Sequence, residues 1–170
     1  MDILMVILRL IHIIGGVFWV GTVWYFTLFF LPRVKTFGQD TGRIMQTMSG
    51  QPFPTYMTTA ALSVALSGII MYWRTSAGFS TAWIFTLPGI VLTLAALLGI
   101  FAVVEGLVVS RPASERMAAL GRQAAAAGGP PAPAVIQEMQ ALSAKLEHAV
   151  YRTAGIVLLT VIGMAVFRYL

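Results

Sequence analysis

Arg9, His12, Gly16 and Trp19 follow one another at steps of three, four and three inside the apolar run "LRLIHIIGGVFWVG". On a helix that spacing stacks all four on one face. Each residue type brings a chemistry. Neutral imidazole is the commonest metal ligand in proteins, haem iron included, and a glycine one turn away leaves room for a flat macrocycle against the backbone. Arg9, one turn nearer the start of the chain, can pair with a carboxylate such as a haem propionate. The same residues also admit a packing role: His12 bonding a neighbouring helix, Gly15 and Gly16 allowing close approach, and Arg9 reaching to lipid headgroups.

His148 is the only other histidine, and depth separates it from His12. Counting about 1.5 Å per residue from the outer rim, His12 lies roughly 12 Å deep and His148 about 33 Å. Two axial ligands of one iron sit only about 4 Å apart, so a bis-histidine haem is not expected. Met164 stands six residues from the end of its apolar run, near the depth of His12, and a His/Met pair is a known haem ligation. Met71 is a weaker substitute, and methionine is also an adaptable filler of helix interfaces. Arg168 is a further candidate for the propionates. Glu105 lies about one turn inside the far end of the third apolar run. His148 and Arg152 share a face at matching depth, so either can neutralise it, as a structural ion pair or as part of a relay.

These residues need elements to hold them, and composition supplies the class. Of 170 residues, 58% are hydrophobic and 10% charged, which places the chain among integral membrane proteins. Without cysteine there is no disulfide, no thiolate metal site and no covalent haem attachment. The net charge of +5 sits beside apolar spans, where topology and anionic lipids explain it, so nucleic-acid binding is discounted.

Four stretches, near 4–31, 55–74, 83–109 and 149–169, suffice to cross roughly 30 Å of hydrocarbon. The expected fold is an all-α four-helix membrane bundle in one domain. The first run begins with Asp2 rather than a basic residue and lacks a small-residue cleavage site, so it is expected to stay as a helix. Pro32 is expected to close it, and "QPFP" at 51–54 to introduce the second. "RTSAGFST" at 74–81 is a short connection. The third run is expected to end near "SRP" at 110–112, followed by a loop over 110–148 containing a short helix and a linker near 124–133. The stretch from "AVIQEMQALSAKLEHAVYR" is expected to run unbroken into the fourth span.

Arg33, Lys35, Arg43, Arg111, Arg116, Arg122, Lys145 and Arg152 fall on one face of this arrangement, and Arg9, Arg74 and Arg168 on the other. The positive-inside rule makes the first face cytoplasmic and points both termini outward, to the periplasm of a bacterial inner membrane. Trp73, Trp83, Phe167 and Tyr169 form an aromatic belt at the outer level.

"LRLIHIIGGVFWVGTVWYFTLFFLPRV" resembles the opening helix of copper-resistance D-like membrane domains and of the four-helix, haem-associated bacterial protoporphyrinogen oxidases. The shared features are a His followed by small residues, a Trp-x-Gly or Trp-x-x-Gly step and, in the oxidases, Leu-Pro-Arg. Here they fall on His12, Gly15, Gly16, Trp19, Gly21 and Leu31-Pro32-Arg33. The resemblance covers about one helix, and the other helices match by number and length only. It implies a four-helix bundle binding haem b or a porphyrin through His12. The oxidases carry a lysine after a Trp in the third helix; "AWIFTLPGIVLTL" offers Thr86 or Leu87 instead, which counts against oxidase catalysis. Copper transport lacks clustered Met or His ligands.

The resulting expectation is a haem- or porphyrin-binding protein with a redox or electron-transfer role. It is surrounded by the lipid bilayer and is either a homo-oligomer or a subunit of a larger membrane complex. The alternatives are a non-enzymatic accessory or assembly subunit, and a small-ion transporter using Glu105 with Thr58, Thr59, Ser63 and Ser67.

Overall fold

The computed structural model describes residues 2–40, 44, 45, 47, 50, 52–128 and 131–170. Arg43, Gln51, Gly129 and Pro130 therefore lie outside the described residues. Five long helices make the fold: α1 (Ile3–Tyr25), α2 (Phe53–Thr75), α3 (Leu87–Glu105), α4 (Arg111–Ala126) and α5 (Pro133–Val166), with no strand among the described residues. Counted with their continuations, four helical stretches are long and apolar enough to cross a membrane: Ile3–Gly38, Phe53–Thr75, Leu87–Ala126 and Pro133–Tyr169. The longest has 40 residues, or about 60 Å at helical rise, twice the hydrocarbon thickness. The third and fourth stretches therefore protrude as a helical hairpin.

Neither proline ends its helix where the sequence suggested. Helix α1 passes through a π turn at Phe26–Phe30 into Leu31–Val34, and α3 passes through a second π turn at Gly106–Ser110 into α4. Each π turn ends two residues before a proline, Pro32 or Pro112. Proline has no N–H and its ring collides with the carbonyl four residues back. The wider turn, in which Leu31 N–H reaches Phe26 O and Arg111 N–H reaches Gly106 O, absorbs both defects without breaking the rod.

The third span also starts later than residue 83. A single turn at Thr81–Ile84 is followed by Thr86, whose hydroxyl accepts from Gly89 N–H at 3.2 Å, with Pro88 in the first turn. That kink brings the Trp83 carbonyl against Gly89 so closely that a Cβ there would collide with it. The preceding turn holds Ala77, Gly78 and Phe79 at positive φ. It is tied down by Ser76, fully buried, which accepts from Phe79 N–H. Tyr72, edge-on to Trp83, donates to Thr93, whose own hydroxyl is spent on the Gly89 carbonyl.

Helix α1 packs along α2, and α3 along α5. Small residues set both seams: Gly15 lies against Ser63 and Val64, Gly68 against His12, Gly99 against Thr160, and Gly163 against Ala95. Backbones can approach this closely only where side chains are absent, the usual device where lipid offers no hydrophobic drive between helices. At the centre Trp19, Ala61, Ala102, Val103 and Val157 meet, so every long stretch contributes. Outward, apolar residues such as Ile14, Val17 and Leu97 are left exposed, as lipid contact requires. Asp2 caps α1 and pairs with Arg74 at 2.8 Å, which places the start of the chain beside the end of α2. The two termini share that end of the bundle.

Candidate functional site

The predicted stripe on α1 is divided by its surroundings. Trp19 enters the core, His12 is half-buried against α2, and Arg9 is exposed with no hydrogen bond or ion pair among the described residues. Gly16 faces open space, with no atom within 4 Å of where a Cβ would stand. The neighbouring helix lies against Gly15 instead.

His12 is held by one nitrogen. Its Nδ1 lies 2.9 Å from the Val64 carbonyl and 3.3 Å from the Ser67 hydroxyl. A carbonyl can only accept, and the Ser67 hydroxyl already donates to the Ser63 carbonyl at 2.6 Å. The proton therefore sits on Nδ1, and the lone pair of the neutral ring is on Nε2. A backbone carbonyl that fixes the tautomer in this way is the usual outer support of a metal-ligating histidine. Gly68 makes room for the ring: a Cβ there would be 2.9 Å from its Cε1.

None of the other candidates hydrogen-bonds His12 among the described residues. Met164 is half-buried on α5, and Arg168 is exposed with its guanidinium 5.6 Å from the centroid of the Phe167 ring. His148 is exposed and makes no hydrogen bond or ion pair among the described residues. It is Arg152 that meets Glu105, through Nε at 2.7 Å and also through a terminal nitrogen. Thr153 donates to the other carboxylate oxygen at 3.2 Å. Glu105 is buried at 4% exposure, while the Arg152 side chain is 55% exposed. A buried carboxylate is thus answered by a cation reaching in from the rim. Among the described residues no three His, Asp or Glu side chains gather to hold a metal ion.

The hydroxyls of α2 are mostly spent on their own helix. Ser63 donates to Ala60 O and Ser67 to Ser63 O, and Thr59 is exposed. Only Thr58 of that set faces the interior cavity.

That cavity is the feature sequence reasoning missed. It has a volume of about 1330 Å³, its open mouth included. Trp19, Ala61 and Ala102 form its inner end, with Met57, Phe26 and Phe53 along its sides; Lys35, Arg111, Glu147 and three serines ring the mouth. Both π turns border it, through Phe26 and through Gly106, Leu107 and Ser110. The two prolines were visible in the sequence, but nothing local placed them at one level of the bundle. The indole N–H of Trp24 was missed as well. It is buried without an acceptor among the described residues.

Comparison with protein-family models, with curated proteins and with solved structures finds no match to this chain.

Proposed function

We propose that this four-helix chain is a membrane-embedded protein binding b-type haem or a porphyrin, with a redox or electron-transfer role, in a bacterial inner membrane. One observation carries the reading: the Val64 carbonyl fixes the proton of His12 on Nδ1 and leaves Nε2 as a lone-pair donor. The open space beside Gly16, one turn further along the same helix, supports it.

His12 would hold the iron, with Met164 as the candidate second ligand and Arg9 and Arg168 as cations at the same end of the bundle for anionic substituents. The bound haem would supply one-electron chemistry, and the protein supplies ligation and a low-dielectric surround. The distribution of Lys and Arg supports a cytoplasmic position for the helical hairpin and an outward position for both termini.

The test is an absorbance spectrum. Purified in mild detergent, the protein is expected to show a Soret band and a reduced α band, both lost in His12→Ala. A native protein without either band, or a His12→Ala protein that keeps them, overturns the assignment. An absent band in a preparation that retains a second membrane protein would favour an accessory subunit.

A further inference from the structure

The cavity between the π turns plays no part in the haem reading, and its lining describes a ligand of its own. Its body is apolar and partly aromatic, with Trp19, Phe26 and Phe53 around it, and Phe26 and Phe53 have centroids 5.2 Å apart.

The charges at the mouth are paired. Lys35 Nζ is spent on Glu147 at 2.5 Å, and Arg111 Nε on Glu115 at 2.8 Å. These are the cations of the described lining, and each already faces a carboxylate, so the mouth offers an anionic head little net positive charge. The hydroxyls are the reverse case. Ser110, Ser114 and Ser143 at the mouth, and Thr58 further in, make no hydrogen bond among the described residues. Thr22, by contrast, bonds back to Phe18 O at 2.6 Å. A free hydroxyl both donates and accepts, so it serves a ligand carbonyl and a ligand hydroxyl equally well.

We infer that this cavity binds a neutral amphiphile of the quinone type: a ring bearing carbonyl or hydroxyl groups held among Ser110, Ser114 and Ser143, with an apolar body against Trp19. The site lies two helical turns along α1 from His12 and stands without the haem assignment. A phospholipid is less favoured, because its phosphate meets cations whose charge is already answered by carboxylates.

The experiment titrates the intact protein in nanodiscs with a short-chain benzoquinone and follows quenching of tryptophan emission. Saturable quenching is expected, reduced by more than half in Trp19→Phe. Substituting Ser110, Ser114 and Ser143 together by alanine should weaken binding about tenfold while leaving the fold intact, since these side chains bond nothing within the protein. Ala61→Leu, which fills the inner end, should remove it.

A linear alcohol and a fatty acid of matching length serve as competitors, each expected to displace the quinone at least about tenfold less well. Quenching that rises linearly with quinone, as simple partition into lipid would give, overturns the proposal. So does a serine variant that binds as the native protein does, or a fatty acid that competes as well as the quinone itself.

Discussion

At the scale of single residues, the fold treats its two polar centres in opposite ways. His12 is tied through one nitrogen and left free at the other, whereas both oxygens of Glu105 are occupied. Gly68→Val should show how much the histidine depends on its seat, because the added Cβ alone stands 2.9 Å from the ring. Overpacking of this kind costs about 1–3 kcal/mol, expected as a lowered melting temperature in detergent together with a shifted or lost Soret band. Around Glu105 the expected effect is coupled. Arg152→Ala leaves a buried carboxylate without its cation and is expected to lower the melting temperature in detergent. Glu105→Gln made together with Arg152→Ala should cost clearly less than the two single changes added, and a double-mutant cycle of thermal unfolding measures the difference. Arg152 at Glu105 was legible in the sequence, since both lie at one depth and membranes rarely tolerate a lone charge. The choice of Arg152 over His148 was not, because it depends on how α5 is rotated about its axis against α3.

At the scale of elements, the π turns decide the shape of the interior. A π turn holds one residue more than the α turn it replaces, so deleting Val108, an exposed residue of that turn, together with Pro112→Ala should restore a regular helix across 106–110. Helix content by circular dichroism is expected to stay the same while saturable quinone quenching falls at least about tenfold. The protruding hairpin of α4 and α5 carries a different test. Arg116 binds Glu138 through two hydrogen bonds, at 2.6 and 3.0 Å. Those bonds, with the charge behind them, hold the Glu138 carboxyl below the usual glutamate range. A lowered folded-state value means that the contribution is present above the unfolded value of about 4.3 and fades as pH falls through the folded one. Protection of the hairpin from hydrogen exchange should therefore decline on acidification below about pH 4.3, and Glu138→Gln should remove that part of the dependence. The effect is small, because both side chains are half exposed.

At the scale of the whole molecule, topology is the testable quantity, and a chain without cysteine is ready for it. Single cysteines at Gly78 and Leu170 are expected to react with a membrane-impermeant thiol reagent added to intact cells, and one at Ala125 only after the membrane is opened. The reverse pattern would invert the orientation read from Lys and Arg. What the sequence determined by itself is of one physical kind: hydropathy, length and charge are sums over local residues, so four membrane-length helices could be counted without knowing where any helix lies. The unbroken course of α5 through Gly155 belongs to the same class. Continuity of α1 through Pro32 and of α3 into α4 through Pro112 escaped this reading, because proline signals a defect without saying whether the chain stops or widens to absorb it. The proton on Nδ1 of His12, the open side of Gly16 and the cavity were decided only in three dimensions. Each depends on which residues of other helices arrive at a given height and rotation: Val64 and Gly68 beside His12, nothing beside Gly16, and two prolines eighty residues apart whose widened turns meet across one space. The stripe of Arg9, His12, Gly16 and Trp19 was correct as spacing. Packing then gave its four members four different environments.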